Sequence, residues 1–305
     1  MDKKIVDKKS FAEQVKSRVE ERLGADCRVQ VEDVCKNNGV VHTGLRISVD
    51  KINISPVIYI DSQYQEYEKG RTTVENAVGH VICSYREKSR DAPADMRRFL
   101  SYDSVRKGIV YKLVNTERNR ELLEDVPHVD LMELSIVFQY LLSQEELGIA
   151  TILIHNIHMK LWDVTTEELY EAAEENTWRL LPYEIKSVMD VLNEILESES
   201  GEGCREQVPD SVPMHVLSNR CRVEGAACML YPGLLRELAD KAESSLYIIP
   251  SSIHELLLLP AACEEESGGI RNMIREINDT QVAPEEILSY SLYYYDREEG
   301  KIKML

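Results

Sequence analysis

The sequence predicts an α+β fold, with mixed, largely antiparallel sheets and packed helices in one or two domains. Three observations carry this expectation. Strands with one apolar and one polar face begin at Cys27 and recur along the chain, as sheets with one wetted side require. Helical stripes opened by capping residues interrupt them, without the strict alternation of a doubly wound parallel sheet. The chain has 305 residues, 43% hydrophobic and 30% charged, enough to bury a core without disulfide or metal.

The first element is a helix. Ser10 and Glu13 fit a capping box, Phe11, Val15, Val19 and Leu23 form one apolar stripe, and Gly24 stops it. A hairpin follows, in which Cys27, Val29 and Val31 alternate with polar residues before the turn Asn37-Asn38-Gly39. Val41, Thr43, Leu45, Ile47 and Val49 alternate on the return. A short strand is expected at 57–60, a helix at 72–89, a charged loop or frayed helix end at 86–98, and strands at 108–114, 131–142 and 150–154. Thr165 and Glu168 open a second boxed helix, which Pro182 ends while starting another that runs to about Leu196.

Residues 197–212, ESESGEGCREQVPDSV, read as an acidic Ser/Gly linker or long loop. The expected division is therefore an N-terminal region 1–196 and a C-terminal region 213–305. Beyond the linker come a strand at 214–218, a small-residue segment 225–231 and a helix from Pro232 to about Ser244. Strands at 246–250 and from Leu256, helices near 268–278 and 284–289, and a hairpin of 292–295 with 301–304 complete the chain.

Composition narrows the function. The seven cysteines are irregularly spaced, without a CxxC, and read as small core residues of a reducing compartment. No apolar run has signal-peptide or membrane-span length, so a cytoplasmic location is expected. The net charge of −18 disfavours general affinity for nucleic acid or anionic membrane. That charge is uneven. Residues 1–115 carry 21 basic against 17 acidic groups, and residues 116–196 carry 5 against 17. The preferred reading is that these regions face each other. The alternative is a basic patch in 1–115 that contacts phosphate or nucleic acid.

Several strings are similar to an uncharacterised family of gut Firmicutes proteins, the domain of unknown function 5688. They are Lys36-Asn37-Asn38-Gly39, Ser55 to Tyr59, Leu169-Tyr170 with Ala172-Ala173 and Asn176, Gly225-Ala226-Ala227 with Leu230-Tyr231-Pro232, and Pro250 to Glu255. The resemblance spans nearly the whole chain and brings no activity with it. Residues of about 158–263 also resemble the uncharacterised YtpQ-like bacterial family, through Trp162, Thr165 to Leu169, Ala172, Ala173 and Asn176 and the stretch Gly225–Pro260. That second resemblance implies that 158–196 packs with the region beyond the linker.

Among candidate sites, Ser252, His254 and Glu255 place a hydroxyl, an imidazole and a carboxylate close together. Triad chemistry needs three such groups to converge in space, and no GxSxG elbow supports it here. The competing reading is a structural turn in which Ser252 caps. His155 and His158 supply two potential metal ligands without a third. Asp130, Glu133 and the ladder 167, 168, 171, 174 and 175 lack a calcium-loop pattern. Arg86, Lys88, Arg90, Arg97 and Arg98 are diluted by acidic neighbours, and Cys204 reads as a spectator thiol. No cofactor or metal is expected. The leading expectation is a cytoplasmic accessory protein that binds another protein without catalysis. The alternative is a hydrolase or transferase using Ser252, His254 and Glu255.

Overall fold

The computed structural model describes residues 6–24, 27–49, 57–90, 99–145, 148–191, 193, 214–261 and 267–305. The chain divides into two compact units, Met1–Arg97 and Arg98–Leu305.

In the first unit, helix α1 (Lys8–Leu23) precedes strands β1 (Cys27–Cys35), β2 (Val41–Val49) and β3 (Val57–Tyr59) and helices α2 (Asp61–Glu68) and α3 (Val74–Arg90). The strands form an antiparallel sheet in the order β1-β2-β3, with Cys27 opposite Val49 and Cys35 opposite Val41. Asn38 and Gly39 reach the expected turn at φ 60° and 69°, a backbone region that asparagine and glycine tolerate best. The apolar stripe of α1, with Phe11, Val15 and Val19 buried, packs into one core with Val29, Leu45, Ile47 and Ile58 of the sheet and Val78 and Val81 of α3. The cap differs from expectation. Asp7 closes the helix end by accepting the Ser10 amide at 2.9 Å, so α1 starts earlier than the Ser10–Glu13 box implied. Cations in this unit find their carboxylates locally: Lys8 with Asp61, Arg18 and Arg22 with Glu75, and Arg46 with Glu32.

The second unit contains two sheets. In the first, β4 (Ile109–Asn115) pairs with one edge of the long β6 (Leu134–Glu145). The other edge of β6 is shared by β5 (His128–Leu131) and β7 (Gly148–Leu153). The strand expected at 131–142 is β6, which starts at Leu134 after a tight turn at Met132, φ 56°, that joins it to β5. Short helices α4 (Tyr102–Val105) and α5 (Arg120–Leu123) flank β4, and α6 (Asn156–Trp162) and α7 (Thr166–Leu180) follow β7.

The second sheet has six antiparallel strands in the order β13-β12-β10-β11-β9-β8. They are β8 (Tyr183–Ser187), β9 (His215–Asn219), β10 (Leu246–Ile249), β11 (Leu256–Pro260), β12 (Tyr293–Asp296) and β13 (Lys301–Met304). A 3-10 turn over Gly225–Leu230 and helix α8 (Leu234–Lys241) lie between β9 and β10, and α9 (Ser267–Thr280) follows β11. Ile270 and Ile274 of α9 bury against Ile249, Leu259 and Leu292.

Two expectations change here. Residues 183–187 form a strand rather than a helix started by Pro182, because β9 offers Tyr183–Ser187 a full ladder. Residues 284–289 do not form a helix. Their backbone instead binds the 250–253 segment, as in the Leu288 amide to the Ser251 carbonyl at 3.0 Å. The segment 197–212 lies outside the described residues. Its flanks, β8 and β9, are neighbours in one sheet. Among the described residues no helix is long and apolar enough to cross a membrane.

Candidate functional site

The 250–255 segment links β10 to β11 and is gripped on both sides. On one side, Ile253 donates its amide to the Glu286 carbonyl at 2.8 Å and Ser289 donates to Pro250 at 2.9 Å. On the other, Ala226 donates to the Ile253 carbonyl at 3.1 Å and the Ser218 hydroxyl donates to the His254 carbonyl at 2.7 Å. Two of the strings that carry the family resemblance, at 225–227 and 250–255, therefore meet in space.

Ser252 is buried, and its hydroxyl accepts the His254 amide at 3.1 Å. The imidazole is engaged elsewhere. Its Nδ1 accepts the Glu224 amide at 3.1 Å, and its Nε2 lies 3.4 Å from Glu286 Oε1. A ring nitrogen that accepts an amide carries no proton, so the neutral ring carries its proton on Nε2. The structure thus brings Ser252 and His254 together through the backbone. Glu255 makes no described bond to either.

Glu224 is the group that sequence reasoning missed. It sits at φ 55°, a left-handed position that costs a non-glycine residue about 1–2 kcal/mol. The next residue packs directly against the neighbouring backbone. A Cβ on Gly225 would lie 2.1 Å from Ser218 Oγ and 2.5 Å from the His254 carbonyl oxygen, so only glycine fits. This turn sends the Glu224 side chain inward to Lys112 Nζ at 2.8 Å and to the Gln139 amide, which donates to its other oxygen. Lys112 lies opposite Val137, and Gln139 opposite Val110, so the two polar residues share a face of the β4–β6 ladder. Burial pushes the Glu224 carboxyl up, but the Lys112 charge and the hydrogen bonds from Lys112 and Gln139 outweigh it and hold the pKa below its usual value. A signal was present in the sequence: Lys112 interrupts an apolar run at 109–114 and Gln139 one at 136–142.

The other candidates fall apart in space. His155 caps α6 and binds Asp125 Oδ2 through Nδ1 at 2.7 Å. His158 Nδ1 accepts the His155 amide at 2.9 Å, and its ring stacks on Trp162 and meets the edge of Phe99. Burial, with the neighbouring His155, depresses the His158 pKa. No three potential metal ligands converge among the described residues. Glu133 accepts the hydroxyls of Tyr293, at 3.0 Å, and Ser289, whereas Asp130 is exposed. Arg86 is exposed; residues 91–98 and Cys204 lie outside the described residues.

Helix α7 has two faces. Leu169, Ala172, Ala173, Asn176 and Thr177 are buried, and Thr177 Oγ1 accepts the Tyr111 amide at 3.1 Å. The Tyr111 hydroxyl is buried without a hydrogen-bond partner among the described residues, and burial pushes its pKa well up. The outer face carries Glu167, Glu171, Glu174 and Glu175 and ends in Trp178, which is 48% exposed. Glu168 belongs to the cap, accepting the Thr165 amide at 2.9 Å.

The chain matches no curated protein and no solved structure. The model of the family of unknown function DUF5688 matches residues 8–297, and the chain belongs to that family.

Proposed function

We propose that this protein is a cytoplasmic, non-catalytic accessory protein that binds another protein through the outer face of α7. The observation that carries the reading is Trp178, a half-exposed indole at the end of a row of solvated carboxylates. An indole face attracts cationic side chains and carboxylates pair with them, so the partner of matching chemistry is a Lys/Arg-rich segment. The 250–255 segment supports the same reading from the other direction. Its Ser252 hydroxyl accepts the His254 amide and its imidazole accepts the Glu224 amide, so both groups hold backbone. A hydrolase or transferase would need those groups turned toward a substrate instead.

The chain has two tryptophans, and Trp162 is buried, so acrylamide quenching of fluorescence reports Trp178. An arginine-rich peptide is expected to protect Trp178 from quenching, and Trp178→Ala is expected to abolish tight binding. Glu171→Lys/Glu174→Lys should weaken binding more than the equal charge change Glu298→Lys/Glu299→Lys at the β12–β13 turn. Equal loss from both pairs would reduce the effect to net charge and sink the proposal.

A further inference from the structure

At the edge of the acidic face of α7, with Glu175 common to both, lies a cavity of about 570 Å³ lined by Arg106, Lys107, Ala172, Glu175, Asn176 and Arg179. Its charge is opposite to that of the chain: three cations against one carboxylate, in a protein of net charge −18. Arg106 and Lys107 come from the 3-10 turn that leads into β4, and Arg179 from the last turn of α7. Among the described residues neither Arg106 nor Lys107 has an acidic partner, and Arg179 reaches Glu175 only at 4.0 Å.

One buried amide organises the wall. Asn176 is 3% exposed and donates through Nδ2 to the Arg106 carbonyl at 2.8 Å and the Ile109 carbonyl at 3.1 Å. Its Oδ1 accepts Arg179 Nη2 at 2.7 Å. The same side chain therefore fixes the backbone that carries Arg106 and Lys107 and orients the guanidinium that faces them. Holding like charges around a concave space costs Coulomb energy unless an anion occupies it. Guanidinium groups match tetrahedral oxyanions through paired N–H donors. The lining charge of +2 suits a dianion, and the volume falls in the range of small-molecule pockets and exceeds the needs of the anion alone.

We propose that this cavity binds the phosphate group of a small phosphate monoester, through Arg106, Lys107 and Arg179, with Asn176 as the positioning residue. The test titrates the full chain with inorganic phosphate and with ribose 5-phosphate by calorimetry, with acetate and ribose at matched ionic strength as controls. Saturable binding of both phosphates is expected, tighter for the ester, with none for ribose. Arg106→Ala/Lys107→Ala, both exposed positions, should weaken binding about tenfold or more, the effect of losing a charge-assisted hydrogen bond. Glu175→Gln removes the one opposing carboxylate and should tighten binding several-fold, a gain that misfolding cannot imitate. Absent saturation at millimolar phosphate, equal binding of acetate, or unchanged binding by the Arg106/Lys107 double variant would each overturn the proposal.

Discussion

Glu224 and the carboxylates of α7 are the same chemistry in two settings, and the contrast separates structure from surface. Glu224 is enclosed, held by Lys112 and Gln139 on its carboxylate and by the His254 ring on its backbone amide. Glu171 and Glu174 face solvent beside Trp178, with no described ion pair. A buried charge is stable only when its partners remain; a solvated one contributes little to the fold and stays open to a partner. The charged groups that chemistry would first select are thus the least available in this molecule.

The largest expected effect tests the enclosed side of that contrast. Glu224→Gln leaves the largely enclosed Lys112, 19% exposed, without its counter-charge and should cost about 3–4 kcal/mol in denaturant unfolding, the lower part of the range for breaking an enclosed pair. Acid should act in the same direction. The Glu224 pKa is lowered on folding, so its stabilisation is complete above the unfolded value near 4.5 and is lost as pH falls through the lower folded value. A Glu224→Gln variant whose stability matched the parent at pH 7 would break the comparison. Next comes Gly225→Ala. The added methyl overlaps Ser218 and the His254 carbonyl, and the strain should cost about 3 kcal/mol.

A smaller effect of opposite sign is expected at Tyr111. Its buried hydroxyl has no described partner, so Tyr111→Phe should raise stability by about 1 kcal/mol, measured as a shift in urea midpoint at constant m. A loss of stability would show that the hydroxyl is satisfied in solution. The smallest effect belongs to the outer face of α7. Glu171→Lys/Glu174→Lys should change stability by no more than about 0.5 kcal/mol, even where it removes binding.

Local signals were readable in the sequence where local physics decides. The Asn37-Asn38-Gly39 turn and the alternating residues around it specify the β1–β2 hairpin, and Thr165 with Glu168 caps α7 as the spacing implies. Tyr183–Ser187 misled because Glu184 and Lys186 favour helix after a proline, whereas pairing with β9 decides the outcome. Residues 284–289 have helical composition, but their backbone groups are satisfied by the 250–253 segment. The candidate site was half legible. The family strings marked both of its walls, while Lys112 and Gln139 stand 112 and 85 positions from Glu224, beyond any motif. Their meeting depends on a left-handed backbone at Glu224 that no residue preference announces.

The order of strands in the six-stranded sheet has a kinetic consequence. Strand β10 lies between β11, its neighbour in sequence, and β12, which arrives only after α9. Ties such as Asn115 to Leu288 and Tyr293 to Glu133 close loops of 173 and 160 residues. The Met1–Arg97 unit builds its sheet from successive strands instead. Loop-closure entropy is paid before such distant contacts return anything, so folding slows as sequence separation grows. In pulse-labelled hydrogen exchange, the amides of β1 and β2 should therefore become protected well before those of β10 and β12.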